Sequence, residues 1–565
     1  MMRPILLFII ACAVFFNTQA QSVFPVKKYP TTSFSYPMKI PVSLVGNFGE
    51  CRPNHFHSGI DIRTDGKENV PVYAIGDGFI SRVKIEAGGF GNAIYITHGN
   101  GYTSLYAHLN RFFPELESFI RSKQYEDKSW KQDVYFLPHQ FPVNKDSFIA
   151  LSGNTGSSQG PHLHLEIRDT KTENPLNPLL FFTKIPDSKA PKIKQVALYD
   201  GNKSIYHQKP QLFMVKNNAL TKDTLLFPSE QMYVGISADD FSEIATGTLG
   251  VYELQLYVDD ELQFAWQMDD ISYDITRYMN ALADYKTKKN NGPWIQLAHK
   301  LPGDHLNVYK NFVAGDGMIS LSDKKTHKIK VVALDTKLQG SEVVFFIRST
   351  SNSSNNNCTA LWPCGKIHQV NEANLSFNLP AEALYDAVCP DITSSPSSSE
   401  YSWKYQVHSS DVPVHTYFDL NLKTKKAIPE SLQSKVAVVR YPFGSETQKK
   451  GKAASVNRQV VTASVRDFGT YEVVIDTKPP QISTSLKNGA SINKLKTLSF
   501  IIKDDVTSVA KCQLFVDGNW LRVVQKGDVF YYELDAHFPK GKHEVQLKAF
   551  DENNNCAIAT LTLTR

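Results

Sequence analysis

The sequence predicts an all-β protein in which one β-sheet unit near the N-terminus is followed by about three β-sandwich modules. Residues 38–182 alternate short strand-like runs with Gly-containing turns, which is typical of antiparallel sheets. Aromatic residues are plentiful, with 33 Phe and 25 Tyr, and they favour strands. Four short alternating blocks also recur in one order in two distant parts of the chain. These observations together predict repeated β modules behind a separate sheet domain.

The chain has 565 residues, which is too long for a single hydrophobic core. We predict a first unit at residues 38–182, then β modules at residues 187–348, 358–475 and 476–565. The formal net charge is +5, which suits an anionic cell envelope. No basic run with interleaved aromatic residues is present, so the sequence does not indicate a nucleic-acid partner.

The first 20 residues have the pattern of an export signal. Arg3 precedes an apolar run at Pro4–Phe16, which is too short to span a bilayer comfortably, and small residues follow up to Ala20. We therefore predict a signal peptide at residues 1–20 and an exported protein of the periplasm or cell envelope. Lipoprotein anchoring through Cys12 is an alternative that ranks lower, because the apolar run continues beyond it. We expect no membrane span in the mature chain.

The stretch SGNTGSSQGPHLHLEIR, residues 152–168, alternates strictly in its second half. His162, His164 and Glu166 fall on one face of an extended chain, and three apolar residues fall on the other. The apolar face is expected to be buried, and both imidazoles are expected to point into one cleft. A glycine-rich loop feeds this strand and would let backbone approach closely whatever lies there.

A second stretch, His57-Ser-Gly-Ile-Asp61, places a histidine and a carboxylate four residues apart. Catalytic zinc sites commonly use three imidazole or carboxylate ligands and keep one position open. Such a set can be assembled from His57, Asp61 and one member of the His162/His164 pair. A histidine pair alone would more often be a polar strand face, so the second stretch is what indicates a metal site.

The motifs HSGID, SLYAHL and GNTGSSQGPHLHLEIR, in this order, resemble those of the lysostaphin/LytM-type zinc endopeptidases, which cut peptidoglycan cross-bridges. The resemblance covers about residues 38–180. It implies that Zn²⁺ is bound by His57, Asp61 and His164. It also implies that His162 is the general base or transition-state stabiliser, and that His108, in SLYAHL, is the second catalytic histidine.

The resemblance further implies a zinc-dependent endopeptidase that cleaves peptide cross-links of bacterial peptidoglycan. The expected bond is D-alanyl–meso-diaminopimelate, with polyglycine bridges as the alternative. The chain has no HExxH motif, which agrees with histidines moving the protons, and Glu166 is better interpreted as a strand residue or a partner of a ligand. The alternative function is a catalytically silent binding or activating module, but such relatives typically lack ligands that are all present here.

Residues 110–145 form an insert that is long for this family. Its PELESFIRSKQYEDKSW segment predicts a short helix. The insert could narrow the cleft or cover it as a lid, or it could be a surface loop, and both alternatives stay open. Nearby, His98 is predicted to be a solvated turn residue. His55 lies two residues before His57 but is not assigned to the site.

The repeated blocks predict immunoglobulin-like sandwiches in the second and last modules. The matched blocks are 187–193 with 476–482, 233–240 with 499–505, 254–259 with 512–517, and 327–335 with 543–551. The first copy is longer, and Tyr273–Lys289 inside it is predicted to be a helical insertion. These C-terminal β modules could recruit the enzyme by binding glycan or an envelope protein partner.

Six cysteines remain after removal of the signal, and an even number in an exported chain permits disulfides. Cys512 and Cys556 could pair within the last module. Of Cys358, Cys364 and Cys389, at most two can pair with each other.

The sequence also leaves open a calcium site. The aspartates Asp239, Asp240, Asp504 and Asp505 lie in predicted loops and could bind the ion, although loop carboxylates are more often only solvated.

Overall fold

The structure is a computed structural model that describes residues 21–25, 27–182, 184–310, 316–350, 358, 360–442 and 450–565. The predicted signal peptide lies outside the described residues. Strands make up 46% of the chain and helices 7%, so the prediction of an all-β protein is confirmed. We use the predicted boundaries as names: the N-terminal unit (38–182), the second module (187–348), the third module (358–475) and the C-terminal module (476–565).

The N-terminal unit is organised around one antiparallel sheet of nine strands, which we call the main sheet. Seven strands are neighbours in the order Leu44–Gly46, Ile60–Arg63, His162–Asp169, Tyr102–Ala107, Asn92–His98, Gly78–Ile85 and Gln132–Tyr135. Pro142–Val143 also pairs with Gly78–Ile85, and Pro175–Leu176 pairs with His162–Asp169. A hairpin, Cys51–Arg52 with His55–Phe56, leads into this sheet.

A small sheet of Pro71–Tyr73, Phe148–Leu151 and Arg111–Phe112 accompanies the main sheet. The apolar face of strand His162–Asp169 is buried as its alternation predicts, because Leu163, Leu165 and Ile167 are completely enclosed in the core. The opposite face of the same strand therefore carries His162, His164 and Glu166 together on the other side of the sheet.

The insert contains the predicted helix, Pro114–Glu126. Proline at its first turn and buried Leu116 and Ile120 explain why it forms and packs there. After the helix, Gln132–Tyr135 joins the edge of the main sheet beside Gly78–Ile85. The insert is thus part of the fold, and its helix contacts the C-terminal module.

The second module is a sheet of eleven short and long strands. In sheet order they are Gln296–Leu297, Gln231–Asp239, Lys192–Asp200, Gln211–Lys216, Ala219–Phe227, Gly340–Ser349, His327–Leu334, Glu253–Val258, Glu261–Gln267 and Tyr309–Lys310, with Ile319–Ser320 beside Gln231–Asp239. The predicted helical insertion is formed by three short segments, Thr276–Tyr278, Met279–Leu282 and Tyr285–Lys289. Ile205–His207 and, before the module, Pro178–Leu180 are single 3₁₀ turns.

The third module has two five-stranded sheets. One is His368–Asn371, Leu375–Leu379, Pro413–Lys423, Val460–Asp467 and Ser455–Asn457, and the other is Ile392–Ser395, Lys404–Val407, Gly469–Ile475, Val436–Tyr441 and Lys450–Ala453. Short helical turns lie at Ala381–Ala383 and Glu430–Gln433.

The C-terminal module has two four-stranded sheets. They are Gln481–Ser483, Thr497–Lys503, Val529–Glu533 and Val524–Lys526 in one, and Asn519–Leu521, Val509–Val516, Lys542–Asp551 and Cys556–Thr564 in the other. Their inner faces enclose a core of their own. Alternating inward-facing residues in two packed sheets are what the repeated blocks predict for a sandwich.

The N-terminal unit and the second module share a core. Phe48, Cys51 and Phe56 of the N-terminal unit are buried in the hydrophobic cluster that the second and third modules form. The backbone that leads into the HSGID motif is therefore packed against a neighbouring module rather than exposed to solvent.

Cys358 and Cys389 form a disulfide, with Cα atoms 5.9 Å apart. The possible pair Cys512–Cys556 is not formed, and both thiols are free. Their strands lie on opposite sides of Lys542–Asp551, about 9.6 Å apart at two strand spacings. This separation exceeds the Cα distance that a disulfide can bridge.

Within the described part of the chain, no helix is both long and apolar enough to cross a bilayer.

Candidate metal centre

His57, Asp61 and His164 meet at one point, where all three side chains are buried. His57 Nε2 lies 3.1 Å from Asp61 Oδ1 and 3.0 Å from His164 Nδ1, and His164 Nδ1 lies 2.9 Å from Asp61 Oδ1. Tetrahedral zinc with bonds of about 2.0–2.1 Å separates its ligand atoms by about 3.3 Å. The three donor atoms therefore fit one ion.

Strand pairing explains how two of these residues meet. Asp61 and His164 are directly opposite each other in the antiparallel pair of Ile60–Arg63 and His162–Asp169. Opposed residues of such a pair project from the same face of the sheet. Gly59 makes this approach possible, because a Cβ there would lie 2.3 Å from the carbonyl oxygen of Leu165.

Both ligand imidazoles are held by their second ring nitrogen. His57 Nδ1 donates a hydrogen bond to the carbonyl oxygen of Asn47 at 2.8 Å, and His164 Nε2 donates to Glu166 Oε1 at 3.1 Å. A nitrogen that donates to an oxygen carries the proton, so the other nitrogen presents its lone pair to the centre. The two lone pairs point to the place where a metal ion would be bound.

His162 and His108 lie beside the centre, and each also has its Nδ1 held by a backbone carbonyl oxygen. His162 Nδ1 donates to the carbonyl oxygen of Gly160 at 2.8 Å, and its Nε2 lies 3.4 Å from Asp61 Oδ1. His108 Nδ1 donates to the carbonyl oxygen of Thr155 at 2.8 Å. The two rings are 4.8 Å apart between centroids. In each ring Nδ1 is therefore engaged by the backbone, and Nε2 is the nitrogen left for proton transfer at the centre.

Burial and neighbouring charges set the protonation of these groups. Burial lowers the pKa of His57 to about 4. Burial, with the neighbouring His164 and His162, lowers the pKa of His108 to about 3, so this ring is neutral near pH 7. Burial acts to lower the pKa of His164, but its hydrogen bonds to Asp61 and Glu166 outweigh this and raise the pKa to about 9. Without metal, His164 therefore holds the proton that a metal ion would displace.

Glu166 is completely buried behind His164. Its carboxylate accepts hydrogen bonds from Arg168 Nε at 2.7 Å, from Ser58 Oγ at 2.5 Å and from the hydroxyl of Tyr273 at 2.5 Å. Burial would raise the pKa of Glu166, but the positive charge of Arg168 and the hydrogen bonds from His164 and Ser58 lower it to about 2. The residue stays ionised and orients the imidazole of His164.

Two contacts with the second module were missed by sequence reasoning. Tyr273 lies in the helical insertion yet reaches Glu166, and Gly250 exchanges hydrogen bonds of 2.8 Å in both directions with the amide of Asn47. Asn47 in turn holds His57. No local sequence signal links residues this far apart in the chain.

Arg52 was also missed. Its guanidinium lies 2.6 Å from Asp61 Oδ2, while Asp61 Oδ1 faces the histidines. Burial would raise the pKa of Asp61, but His57 and the hydrogen bonds from the histidines keep the pKa well below its usual value. The carboxylate is thus ionised and has one oxygen available for a metal.

The main sheet continues beyond the centre with a covered surface. Strand register places Ala107 opposite His164 and Leu105 opposite Glu166, and then Tyr95 opposite Leu105. These three residues are buried, Phe90 packs against them, and the guanidinium of Arg168 lies over the ring of Tyr95.

The glycine-rich loop packs closely against neighbouring backbone of the N-terminal unit. A Cβ at Gly156, whose φ is 71°, would lie 2.3 Å from the backbone nitrogen of Gly91, and a Cβ at Gly153 would lie 2.7 Å from that of Asn110. The glycines therefore allow tight packing of the loop against the neighbouring strands.

The prediction for His98 is wrong. This residue ends the strand Asn92–His98 and is buried, with Nδ1 bonded to the carbonyl oxygen of Asp77 and Nε2 to Ser104 Oγ, both at 2.8 Å. Period-two alternation directs it into the protein. His55 is exposed and bonds to the carbonyl oxygen of Pro53.

Comparison with known proteins gives two family matches. Residues 55–125 match peptidase family M23, and residues 359–476 match the Zu5-like domain. An uncharacterized metalloprotease of Haemophilus influenzae is 34% identical over 129 residues, which are 23% of this chain and 21% of that protein.

Two further relatives have more specific names. The DD-carboxypeptidase/endopeptidase Mpg of Neisseria meningitidis serogroup B is 34% identical over 131 residues, 23% of this chain and 24% of the relative. The peptidoglycan DD-endopeptidase ShyA of Vibrio cholerae is 32% identical over 111 residues, 20% of each chain. This chain spans only about a fifth to a quarter of the length of the curated relatives it matches.

Proposed function

Because the N-terminal unit carries a domain of peptidase family M23, of the lysostaphin and LytM type, we propose that this protein is a zinc-dependent endopeptidase that cleaves peptide cross-links of bacterial peptidoglycan. The observation that carries the proposal is the convergence of His57, Asp61 and His164 on one point, with two further histidines beside it. The substrate class is supported by the names of two relatives, a DD-carboxypeptidase/endopeptidase and a peptidoglycan DD-endopeptidase.

Zinc is the proposed metal because the donor set consists of two imidazole nitrogens and one carboxylate oxygen. His57, Asp61 and His164 would hold it. When bound, the ion supplies Lewis acidity, which polarises a carbonyl group and makes water more acidic. Asn47, Glu166 and the other buried partners keep the three ligands in place before the metal arrives.

His162 and His108 are the proposed proton carriers. The Nδ1 proton of each is held by a backbone carbonyl, so Nε2 can accept a proton from water. The lowered pKa of His108 keeps that ring neutral near pH 7. One histidine would take the proton from the attacking water, and the other would stabilise the developing oxyanion and help the leaving amine.

The proposed bond is D-alanyl–meso-diaminopimelate, in an exported protein that works on the peptidoglycan of the periplasm or cell envelope. The names of the relatives and the predicted signal peptide support this choice. Polyglycine bridges are the alternative substrate.

The experiment that tests the proposal has two parts. Metal content of the purified protein is measured, and the protein is then incubated with purified sacculi, with and without a chelator, and the products are identified by mass spectrometry. Bound zinc and chelator-sensitive release of muropeptides support the proposal. A protein that binds sacculi without zinc and releases nothing would instead be a silent binding or activating module.

A further inference from the structure

Three aspartates meet where the third module joins the C-terminal module. Asp476 directly follows Gly469–Ile475, the last strand of the third module. Asp504 directly follows Thr497–Lys503, and Asp551 ends Lys542–Asp551, both strands of the C-terminal module. One carboxylate oxygen of each lies within 4.8 Å of the others. We call these residues the junction carboxylates.

Several oxygens at this junction are buried without a hydrogen-bond partner. Asp476 is only 1% exposed, and its Oδ1 has no donor among the described residues. The same is true of Asp504 Oδ2, and of Oδ1 of Asn553, which is 4% exposed. Burying an acceptor without a partner costs about 1–3 kcal/mol, and more when it is charged. The unpartnered oxygens therefore indicate a ligand that the chain itself does not supply.

No basic side chain compensates the negative charge. In the ranges that the structure describes, none of the junction carboxylates has a Lys, Arg or His within ion-pair distance. The nearby lysines serve other groups, since Lys478 Nζ lies 3.3 Å from Asp505 Oδ2 and Lys435 Nζ donates to the carbonyl oxygen of Asn553 at 3.0 Å. Like charges held together in this way repel one another unless a cation lies between them.

The hydrogen bonds that fix the junction carboxylates do not involve their unpartnered oxygens. Asp504 Oδ1 accepts from the backbone nitrogens of Val506 and Thr507 at 3.0 and 2.8 Å, which leaves Oδ2 unbonded. The side-chain amide of Asn555 donates to both the carbonyl oxygen of Asp476 and the carboxylate of Asp551. The carboxylates are thus fixed at short range before any ion is bound.

We propose that the junction carboxylates bind a calcium ion. All available donors are oxygens, which excludes the nitrogen and sulfur ligands that transition metals prefer. Ca²⁺ takes six to eight oxygen ligands in flexible geometry and accepts several carboxylates, whereas Mg²⁺ is usually held by one or two carboxylates and several waters.

The ion would fasten the two modules to each other. Asn553 already contacts the third module, because its amide donates to the carbonyl oxygens of Ser434 and Val436 at 3.3 and 2.9 Å. Calcium would join the last strand of the third module to two strands of the C-terminal module. Since the C-terminal module also contacts the helix of the insert, the ion would fix its position on the N-terminal unit.

The second module contains a similar group of aspartates. Asp187, Asp240 and Asp335 lie near one another, and Gln339 bridges the carbonyl oxygen of Asp187 and the carboxylate of Asp335 as Asn555 does in the C-terminal module. Asp187 is, however, only half-buried and can be hydrated. We confine the proposal to the junction carboxylates, because Asp476 is enclosed there.

Electrostatics agree with this geometry. Burial and the negative charges of Asp504 and Asp551 raise the pKa of Asp476 to about 6. A cation among the three carboxylates would relieve this repulsion, and so would the loss of one charge by substitution. Loss of one of these charges should therefore weaken calcium binding without destabilising the calcium-free protein.

The test uses the full mature chain, stripped with EGTA of calcium and, because EGTA also binds zinc, of zinc in every sample. Calcium binding is measured by titration calorimetry, and the unfolding midpoint is measured in EGTA and in calcium. The variant is Asp504→Asn, and the matched control is Asp505→Asn, which removes the same charge one residue away.

We expect wild type and Asp505→Asn to bind calcium and to unfold at a higher temperature when it is present. Asp504→Asn should bind at least tenfold more weakly, yet be as stable as wild type or more stable in EGTA. Terbium luminescence of the wild-type protein, displaced by Ca²⁺, tests the site without any variant.

Absence of calcium binding by wild type would overturn the proposal, as would equal calcium binding by the two variants. Equal effects of Mg²⁺ at the same concentration would overturn the choice of calcium. None of these outcomes depends on cleavage of peptidoglycan.

Discussion

The hydroxyl of Tyr273 donates a hydrogen bond of 2.5 Å to Glu166 Oε1, and Glu166 Oε1 accepts at 3.1 Å from the candidate zinc ligand His164. Tyr273 belongs to the second module, whereas Glu166 and His164 belong to the N-terminal unit. Arg168 completes the arrangement, with its guanidinium 2.9 Å from the same hydroxyl. The second module is therefore part of the support of the metal centre.

Replacing Tyr273 by Phe should weaken metal retention by about tenfold, because partners behind a ligand typically contribute 10–100-fold to metal affinity. Zinc retention in competition with a chromophoric chelator measures this directly, and the visible spectrum of the cobalt-substituted protein reports the ligand geometry. Tyr233→Phe is the matched control, since its buried hydroxyl in the same module has no hydrogen-bond partner among the described residues. Equal metal retention in both variants would contradict the supporting role of Tyr273.

His164→Ala and His162→Ala should separate metal binding from proton transfer. His164 contributes a nitrogen to the converging set, so its loss should remove the bound metal and all cleavage. His162 lies beside the set, with its Nδ1 held by the carbonyl oxygen of Gly160, so its loss should keep the metal and lower turnover by about 10²–10⁴-fold. Metal analysis and muropeptide release from sacculi are the two measurements. Normal cleavage by both variants would show that these roles are wrong.

Glu533→Gln should loosen the C-terminal module from the insert. Glu533 accepts from Arg121 and Arg522, each at 3.1 Å, and lies 3.5 Å from Arg111. Without the carboxylate, Arg111 and Arg522 lose their counter-charge at a half-buried interface, whereas Arg121 keeps its pairs with Glu117 and Asp535. The loss should cost about 1–3 kcal/mol.

Limited proteolysis and denaturant unfolding of the Glu533→Gln protein measure the loss. Glu544→Gln, an exposed substitution in the same module, is the control. If the two variants are equally stable and equally resistant to protease, the ion cluster does not hold the interface.

Asp240→Asn should stabilise the protein at alkaline pH. Burial, with the charges of Asp335 and Asp187, raises the pKa of Asp240 to about 8 from an ordinary value of 3.8. Between these values the folded state keeps a proton that the unfolded chain has lost, so the wild-type stability falls as pH rises from about 4 to about 8. The amide carries no charge and avoids this loss.

Both proteins are measured in EGTA. Their unfolding midpoints should differ little at pH 4, and the midpoint of the Asp240→Asn variant should be the higher one at pH 8. Asp239→Asn is the matched control, because Asp239 lies on the surface and pairs with Lys194 at 2.6 Å. A difference between Asp240→Asn and wild type that does not change with pH would contradict the assignment.

Local pattern was sufficient to identify the candidate ligands. A strand has period two, so the letters HLHLEIR place His162, His164 and Glu166 on one face whatever the rest of the fold does. The HSGID motif supplies a carboxylate near an imidazole. The all-β class follows from the same alternation, and the helix of the insert follows from its proline start and apolar spacing.

Only the tertiary structure decided how these pieces meet. Strand register set Asp61 opposite His164, and packing of the second module placed Asn47 and Tyr273 behind the ligands. Such contacts depend on the free energy of burying surfaces that are far apart in the chain, and no local period records them. For the same reason the sequence misplaced His98 and gave no reason to place Asp476, Asp504 and Asp551 together, although the fold brings them together.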